Sequence, residues 1–478
     1  MELTLAKALR ISNHACIAFA GAAGKTTAMF KLARELTPPL IVTSTTHLGV
    51  WQIPLAGKHI IAEFPAPLEE IEHGLNGIVL VTGPIQNDKT TPIDPSLLEW
   101  LREYCGYHDL PLLIEADGSR QKPLKAPALH EPAIPAFVEQ VLYVAGLSGI
   151  GKPLSEEYVH RPEIFAYLSE LRIGDVISPE SLISVLSHPE GGLKGIPQNA
   201  RRALLLNQAD TALLQSTGGK MAQPLLNSYD TVLVGSLQSA QNKSSTLQAF
   251  ERVAGIILAA GASTRFGQPK QLLDWHGKPF VRVVSETALA AGLSPVIVIT
   301  GSNAEQVENA VKGLDVNIVR NQEWQNGQST SVKVGILPLT PSRPPPNPQV
   351  GDWLLSRPSY ADLGEVPARA AGAEAGAAIF LLADQPQIGA DVIRALKEAH
   401  AQSLSPVIAP LVLEEQRANP VLFDQVTFPD LLKLEGDVGG RAIFSKYKIE
   451  YLPWHDDRLL LDVDKPEDYR RLIEDETL

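Results

Sequence analysis

Short apolar runs alternate with amphipathic stretches along most of this 478-residue chain. In the first half, the apolar runs predict strands at 15–20, 39–44, 77–82, 111–116, 140–145, 203–207 and 231–235. Most of these runs are continuous rather than alternating in polarity. That pattern is typical of strands buried on both faces of a parallel sheet that helices cover.

The same pattern begins again after a polar stretch at 237–248, which we interpret as a linker or domain-edge segment. Predicted strands lie at 253–259, 295–300, 316–320, 378–383, 406–409 and 458–463. Predicted helices lie at 279–291, 303–312, 329–337, 390–402 and near 437–446. Two rounds of strand–helix alternation predict two α/β domains, at residues 1–245 and 252–478. Within the second, the Pro-, Ala- and Gly-rich residues 340–377 predict a surface insertion that takes no part in the chemistry.

The composition argues against several classes of protein. Lys and Arg number 41 against 54 Asp and Glu, a net charge of −13, so the chain is poorly suited to bind nucleic acid. Two cysteines, Cys16 and Cys105, are too few for a disulfide scaffold or a cysteine zinc site. The sequence has neither a signal-peptide pattern nor an apolar run of about 18 residues, so we expect a soluble, cytoplasmic protein without a membrane span.

The strongest chemical signal is the segment GIILAAGASTRFGQPKQ at 255–271. An apolar strand leads into a loop of small residues, whose backbone N–H groups can approach phosphate oxygens closely. Arg265 and Lys270 add positive charge where a triphosphate would lie, which predicts a catalytic role for both. The alternative is a glycine-rich turn with two solvated cations.

Carboxylates at two other places could hold Mg²⁺ beside this loop. Asp384 follows an apolar strand in IFLLADQP at 379–386, and carboxylates at strand ends of open α/β sheets face ligands. Asp462 and Asp464 lie in LLDVDKPED at 460–468, where period two of a short strand would put both on one face. Either could complete the site with Asp384. Otherwise Asp384 caps the next segment, and the later pair marks a helix start at Pro466.

The loop resembles the LAAGxSxRxGxxK signature of nucleotidyltransferases with a Rossmann-like, GT-A-like α/β sandwich. Together with ADQP, NQEWQNGQSTSVKV at 321–334, ANPVLF at 418–423 and GDVGGR at 436–441, it is similar to the molybdenum cofactor cytidylyltransferases. The resemblance implies that CTP binds at Leu258, Ala259, Ala260, Gly261, Lys270 and Ser331. It also implies Mg²⁺ on Asp384 with Asp462 or Asp464, and a cytosine or pterin side lined by Asn321, Ser331, Asn419 and Arg441.

The first half carries its own glycine loop in IAFAGAAGKTTAM at 17–29, between a strand and a helix. Such a loop forms an anion site at the helix N-terminus. Its candidate nucleotide contacts are Gly21, Gly24, Lys25, Thr26 and Thr27, with Lys25 on the β/γ-phosphates and Thr26 on Mg²⁺. The alternative is an ordinary strand–turn–helix with an exposed lysine.

Two further segments of the first half end predicted strands. LLIEADGSRQK at 112–122 supplies Glu115 and Asp117 as an acidic pair of the Walker B type, with Asp117 as the candidate metal ligand. Arg120 follows in a basic set, and we place it with Glu115 on the substrate side. LLLNQAD at 204–210 is similar to the NKxD box that reads guanine in GTPases, which makes Asn207 and Asp210 candidate base contacts.

The segments GAAGKTT, TSTTH at 43–47, EADGSRQKPLKAP at 115–127 and LNQAD resemble the YqeC family, which is associated with selenium-dependent molybdenum hydroxylases. The glycine loop at 17–29 already predicts a P-loop NTPase-like parallel sheet that binds ATP or GTP, and the resemblance leaves the reaction of this half open. The resemblance implies a role in making or loading a selenium-modified molybdenum cofactor.

Taken together, the two resemblances predict a fused cofactor-maturation enzyme that cytidylylates molybdopterin, with a molybdenum hydroxylase as a possible client. Two alternatives stay open. One is a nucleotidyltransferase for a sugar or polyol phosphate, and the other is a non-enzymatic cofactor chaperone.

Overall fold

A computed structural model describes residues 3–11, 14–63, 71, 73–237, 247–263, 266–340, 374–412 and 416–474. The chain divides into two compact units, Met1–Phe250 and Glu251–Leu478. Arg265 and residues 341–373, which form most of the predicted insertion, lie outside the described residues. Each unit is α/β.

The N-terminal unit is built on one nine-stranded sheet. In chain order its strands are β1 Cys16–Gly21, β2 Leu40–Ser44, β3 Lys58–Ile61, β4 Ile78–Thr82, β5 Leu112–Glu115, β6 Gln140–Gly146, β7 Arg201–Asn207, β8 Thr231–Val234 and β9 Gln248–Glu251. Their order across the sheet is β9-β8-β7-β6-β1-β5-β2-β4-β3. All neighbouring pairs from β8 to β3 are parallel, as the continuous apolar runs predicted.

Helices pack on this sheet and fix the positions of its loops. They are α1 Leu5–Ala8, α2 Lys25–Glu35, α3 Pro95–Tyr107, α4 Pro162–Ser169, α5 Pro179–Ser187 and α6 Ala212–Leu225. The first turn of α2 follows the glycine loop directly, and the helix buries Met29, Phe30 and Leu32. Because the strands are parallel, the carboxyl ends of β1, β5, β6 and β7 meet at one edge of the sheet.

All seven strands predicted for the first half are confirmed, with ends within two residues. The prediction missed the edge strands β3 and β9. In β3 only Ile60 is buried, so the segment lacks the apolar run of a central strand. The strand β9 begins at Gln248, the last residue of the segment interpreted as a linker, so that interpretation was too long by one residue.

The C-terminal unit has a mixed sheet. Its strands are β10 Val253–Ala259, β11 Val296–Thr300, β12 Asn317–Arg320, β13 Ala377–Leu382, β14 Val407–Val412, β15 Gln416–Arg417, β16 Val421–Asp424 and β17 Ile449–Trp454. The order is β12-β11-β10-β13-β16-β14-β15, and β17 also pairs with β14. The first four are parallel to one another, whereas β16 is antiparallel to β13 and β14. The carboxyl ends of β10 and β13 are therefore neighbours.

The helices of this unit are α7 Phe280–Ala290, α8 Ala304–Ala310, α9 Gln328–Ile336, α10 Ala390–Ser403, α11 Phe428–Leu431 and α12 Pro466–Glu474. One prediction differs from the structure in helix type, and one was wrong. The predicted helix near 437–446 is a 3-10 helix over Gly440–Lys446. The predicted strand at 458–463 is a 3-10 helix over Asp457–Leu460 followed by irregular chain. Asp462 and Asp464 therefore do not share a strand face, contrary to the prediction from strand periodicity.

Among the described residues, no helix combines the length and the apolar character needed to cross a membrane.

Candidate functional site

The neighbouring carboxyl ends of β10 and β13 border a cleft of about 820 Å³ in the C-terminal unit. The cleft brings together eight residues that the sequence singled out: Leu258, Ala259, Ala260, Gly261, Lys270, Ser331, Asp384 and Asp464. Residues 324–328 and Asp437, for which the sequence predicted no individual role, also line the cleft. The small-residue loop thus forms one wall of a space large enough for a nucleotide.

Lys270 is the charged centre of this cleft. Its Nζ lies 2.9 Å from Oδ2 of Asp384 and 3.0 Å from Oδ1 of Asp464. Partial burial alone would lower the pKa of Lys270, but attraction to Asp384 and Asp464 outweighs burial and raises it. The side chain is therefore a permanent cation at neutral pH.

Asp462 belongs to a different set of contacts. Its Oδ1 accepts a hydrogen bond of 2.6 Å from Nε2 of Gln385, and Oε1 of Gln385 accepts one of 3.3 Å from Asn419. Arg441 then donates to Oδ1 of Asn419 at 3.1 Å. Burial, followed by repulsion from Asp384 and Asp464, raises the pKa of Asp462. These hydrogen bonds link Asp462, a candidate metal ligand, to the candidate substrate residues Asn419 and Arg441 through Gln385, a residue of the ADQP segment for which the sequence predicted no role.

The small-residue loop after β10 is held by Gln271, a buried glutamine for which the sequence predicted no role. Gln271 is 4% exposed, and its Nε2 donates to the carbonyl of Gly261 at 3.1 Å. The backbone N–H of Lys270 donates to Oγ of Ser263 at 3.0 Å. These bonds join the described loop residues Gly261 and Ser263 to the segment that carries Lys270.

The opposite wall depends on two glycines in close approach. Gly327 has φ of 105°, and a Cβ at this position would lie 2.5 Å from the carbonyl oxygen of Gly436. Asn321 is 3% exposed and donates to the hydroxyls of Thr330 and Ser331 at 2.8 and 2.9 Å. Asn321, predicted to line the ligand, is thus a buried support for Ser331.

The described residues hold no cluster of three or more His, Cys, Asp or Glu side chains arranged for a metal ion. Asp384 and Asp464 nevertheless share one cation, the ammonium of Lys270. Two hard carboxylates suit Mg²⁺, which takes one or two protein carboxylates and completes its shell with water and substrate phosphates. The donor set therefore fits a divalent cation that arrives with a nucleotide.

The glycine loop of the N-terminal unit has the backbone that only glycine adopts readily. Gly21 and Gly24 have φ of 98° and 100°, and a Cβ on Gly21 would lie 2.2 Å from the carbonyl oxygen of Val144. Lys25 is 4% exposed, and its Nζ donates to the carbonyl of Gly21 at 2.8 Å. The same Nζ lies 3.3 Å from Oδ1 of Asp117. Thr27 follows, half-buried, in the first turn of α2.

Thr26 is paired with Glu115 rather than with Asp117. Its hydroxyl donates to Oε2 of Glu115 at 2.7 Å and accepts from Nε2 of Gln52 at 2.7 Å. Burial raises the pKa of Glu115, although attraction to Lys25 and the hydrogen bond from Thr26 act against it. Asp117 instead accepts the backbone N–H of Gly21 at 3.1 Å. Of the two acids, Glu115 is thus the one placed beside the threonine hydroxyl.

A chain of alternating charges continues from Asp117 into the unit. Lys125, whose side chain is fully buried, lies 2.7 Å from Oδ2 of Asp117 and 2.9 Å from Oε2 of Glu131. Arg161 donates two hydrogen bonds, of 2.7 and 3.0 Å, to the carboxylate of Glu131. Arg120 is exposed and has φ of 50°, an uncommon backbone for a residue with a side chain. The buried charges are paired, whereas Arg120 faces solvent.

This network predicts acid sensitivity. Burial alone would raise the pKa of Glu131, but hydrogen bonds from Arg161 and Lys125 outweigh it and hold the pKa at about 2. A depressed carboxyl pKa gives stability that is complete above the ordinary value of 4.5 and is lost as the pH falls toward 2. The unfolding free energy of the natural protein should therefore exceed that of Glu131→Gln near pH 7, and the gap should shrink below pH 4.5. Urea unfolding of both proteins at several pH values measures this difference in unfolding free energy. A difference that stays constant down to pH 3 would contradict the role assigned to Glu131.

The predicted base contacts lie at the end of β7. Asn207 is 3% exposed, its Nδ2 donates to the carbonyl of Ala23 at 2.7 Å, and its Oδ1 accepts from the N–H of Leu237 at 3.1 Å. Asp210 is exposed at the start of the following loop. The glycine loop and the 207–210 segment are therefore joined by a direct hydrogen bond.

The two halves of the chain match different families. Residues 17–163 match the family described as YqeC protein, and residues 255–451 match the MobA-like NTP transferase domain. The chain is 31% identical over 233 residues to a protein of Escherichia coli (strain K12) named uncharacterized protein YqeC, covering 46% of this chain and 87% of that one.

Two relatives carry functional names. The purine catabolism protein PucB of Bacillus subtilis (strain 168) is 27% identical over 226 residues, covering 45% of this chain and 93% of PucB. A probable molybdenum cofactor guanylyltransferase of Bacillus cereus (strain G9842) is 44% identical over 62 residues, covering 13% of this chain and 30% of that protein.

Proposed function

We propose a function for each unit of the chain, from the premise that the chain belongs to the YqeC family and carries a MobA-like NTP transferase domain. The chain is therefore a nucleotidyltransferase. The C-terminal unit transfers CMP from CTP to molybdopterin or its molybdenum-bearing form and releases pyrophosphate. The N-terminal unit binds ATP or GTP on a P-loop for a related step that handles a selenium-containing cofactor. The relative named as a probable molybdenum cofactor guanylyltransferase supports the pterin acceptor.

One observation carries the transfer reaction. Lys270 lies between Asp384 and Asp464, beside a loop of small residues and inside a nucleotide-sized cleft. The loop offers backbone N–H groups to phosphate oxygens, Lys270 offers a fixed positive charge, and the two carboxylates can hold the metal that accompanies a triphosphate.

The chemistry needs little beyond positioning and charge. An oxygen of the acceptor's phosphate monoester, already anionic, attacks the α-phosphorus of the nucleotide and forms the new P–O bond. The bond between the α-phosphorus and the bridging oxygen breaks, and pyrophosphate carries away the electron pair. Mg²⁺, held by Asp384 and Asp464, would neutralise phosphate charge when bound. Lys270 stabilises the negative charge that builds on the transferring phosphate, and the Gln271-braced loop keeps the α-phosphorus in line.

The N-terminal contacts support a P-loop. Lys25 is buried at the start of α2, where its ammonium can exchange the carbonyl of Gly21 for nucleotide phosphates. Thr26 and Glu115 are hydrogen-bonded, so the pair can share a hydrated Mg²⁺. Asp117 takes a structural part, because both its oxygens already accept from Gly21 and the two lysines. Fusion of the two units would raise the local concentration of an intermediate that both handle.

Pyrophosphate release tests the proposal. The purified full chain would be given Mg²⁺, molybdopterin with or without molybdenum, and CTP, GTP or ATP in parallel. We expect release with CTP, its loss in Asp384→Asn, and full retention in Asp391→Asn, which removes a charge from an exposed helix residue of the same unit. Release with GTP alone would move the assignment to guanylyl transfer.

Two other functions give different results in the same assay. A transferase for a sugar or polyol phosphate would release pyrophosphate with that acceptor and not with the pterin. A cofactor chaperone for a client molybdenum hydroxylase would bind molybdopterin tightly but release no pyrophosphate with any nucleotide.

A further inference from the structure

Gln52 connects the glycine-loop site to a segment for which the sequence predicted no role. It lies in a 3-10 helix over Val50–Leu55 and is 9% exposed. Its Nε2 donates a hydrogen bond of 2.7 Å to the hydroxyl of Thr26, and its Oε1 accepts one of 2.8 Å from the backbone N–H of Gly49. The side chain therefore joins its own loop to the candidate metal-binding threonine.

The hydrogen bond from Gly49 fixes which end of the Gln52 amide faces Thr26. A backbone N–H can only donate, so the amide oxygen faces Gly49 and the NH₂ group faces Thr26. The Thr26 hydroxyl is then an acceptor toward Gln52, and its single proton goes to Oε2 of Glu115 at 2.7 Å. The hydrogen bonds thus run in one direction, from Gly49 through Gln52 and Thr26 to Glu115.

This direction determines what the Thr26 hydroxyl can offer a ligand. A hydroxyl has one O–H and two lone pairs. Glu115 takes the proton and Gln52 takes one lone pair, so with respect to the described residues one lone pair of the Thr26 oxygen is left for a cation. Because Mg²⁺ binds through oxygen atoms, the residues present fit a metal ion held by Thr26.

Both ends of this series of hydrogen bonds are anchored outside the glycine loop. At the Gln52 end, the backbone N–H of Val50 donates to the carbonyl of Asp88 at 3.0 Å, in the turn of a neighbouring β-hairpin. At the other end, the carbonyl of Glu115 accepts from the hydroxyl of Ser44 and from the N–H of Thr45, both at 3.0 Å. These two residues belong to the TSTTH segment. The protein therefore fixes the arrangement without help from a nucleotide.

Without Gln52, the Thr26 hydroxyl would keep its bond to Glu115 but would lose the donor on its other side. Its oxygen would then no longer be restricted to one orientation around the bond to Glu115. We propose that Gln52 is a positioning residue for the metal ion that accompanies a nucleotide in the N-terminal unit, because it holds the Thr26 hydroxyl in the rotation that leaves a lone pair for Mg²⁺. This inference rests on the proposed nucleotide-binding function of the glycine loop.

The test measures how Mg²⁺ changes nucleotide binding by the full-length protein. The β,γ-imido analogues of ATP and GTP would be titrated in EDTA and at several Mg²⁺ concentrations. Each variant would also be prepared with Lys25→Met, so that the Lys25-dependent part of the binding reports the N-terminal site. Gln52→Met removes both hydrogen bonds at similar side-chain length, and Gln52→Asn keeps the amide but shortens its reach. Gln223→Met is the matched control, at an exposed position of α6.

In both Gln52 variants, the Mg²⁺ concentration that gives half of the strengthening of binding should rise about 10- to 100-fold. Binding in EDTA should stay within about twofold of the natural value, because Lys25 and the loop still hold the phosphates, and this result also shows that the variant is folded. Thr26→Val should lose most of the Mg²⁺ effect, and adding Gln52→Met to it should change the Mg²⁺ response no further. Gln223→Met should match the natural protein.

The inference is overturned if Gln52→Met keeps the natural Mg²⁺ response, or if Mg²⁺ does not strengthen Lys25-dependent binding in the natural protein. An equal loss of binding with and without Mg²⁺, or the same loss in the Thr26→Val background, would show that Gln52 supports the structure and does not act through Thr26. If no analogue binds the natural protein in a way that Lys25→Met abolishes, the proposed P-loop function itself fails, and the role of Gln52 fails with it.

Discussion

Replacing Lys270 with alanine should lower the rate of nucleotidyl transfer about 100- to 1,000-fold while leaving the thermal stability almost unchanged. The rate effect is large because the ammonium acts on charge that develops in the transition state, where no water can replace it quickly. The stability effect is small because Lys270 bonds to two partly exposed carboxylates, with Asp464 66% exposed. Ion pairs of that kind contribute at most about 1 kcal/mol.

Steady-state pyrophosphate release and a melting curve measure the two effects. Lys278→Ala is the matched control, because Lys278 is an exposed lysine of the same unit that pairs with Glu286 at 2.6 Å. It should retain full turnover. Lys270→Arg keeps the charge with a different shape and should fall between the two variants. Near-normal turnover in Lys270→Ala would contradict a catalytic role for Lys270. A loss of turnover that is fully explained by unfolding of the variant would contradict it as well.

Replacing Lys125 with alanine should destabilise the N-terminal unit by about 3–5 kcal/mol. The Lys125 side chain is fully buried between Asp117, which is 1% exposed, and Glu131, which is 17% exposed. Its removal leaves the Asp117 carboxylate buried, and among the described residues Lys25 and the Gly21 N–H are what remain to compensate its charge. The cost of an uncompensated buried charge exceeds the value of the pair itself, so the loss should be far larger than for a surface ion pair.

Equilibrium urea unfolding, followed by circular dichroism, measures this loss. Lys31→Ala serves as the control in the same unit, because Lys31 is 43% exposed and pairs with Glu35 at 3.4 Å within α2. It should change the unfolding free energy by less than about 0.5 kcal/mol. If Lys125→Ala behaved like Lys31→Ala, the charge network would not be holding the unit together.

Much of the fold could be predicted because each central strand can be recognised from its own residues. The strands β1, β2 and β10 are continuous apolar runs, and only a strand covered on both faces needs such a run. The prediction failed where the buried residues do not follow the spacing of a strand. In 458–463 the buried residues are Leu459 and Val463, four positions apart, and the apolar run around them resembles a strand although the chain turns there. The missed strand β17 contains Pro453 and is only partly buried, so its sequence lacks a strand pattern.

The candidate sites could be located but not assembled from the sequence. Motifs placed Lys25, Lys270 and Asp384 in segments that follow strand ends, where parallel sheets gather ligands. The partner of Thr26 depended on the register between β1 and β5, in which Glu115 lies opposite Phe19. No spacing along the chain reveals that register, so the sequence could not separate Glu115 from Asp117. Gln271 and Gln385 hold other site residues in place through tertiary hydrogen bonds, and no local sequence pattern reveals such contacts.

The contact between Lys270 and Asp464 joins residues 194 positions apart. A ribosome working at about 5–20 residues per second needs about 10–40 s to travel from one to the other. During that interval the emerging chain holds the lysine and, for part of it, Asp384, but not the second carboxylate. The charge set proposed for catalysis, Lys270 with Asp384 and Asp464, is therefore complete only after the last of the three residues has been synthesised.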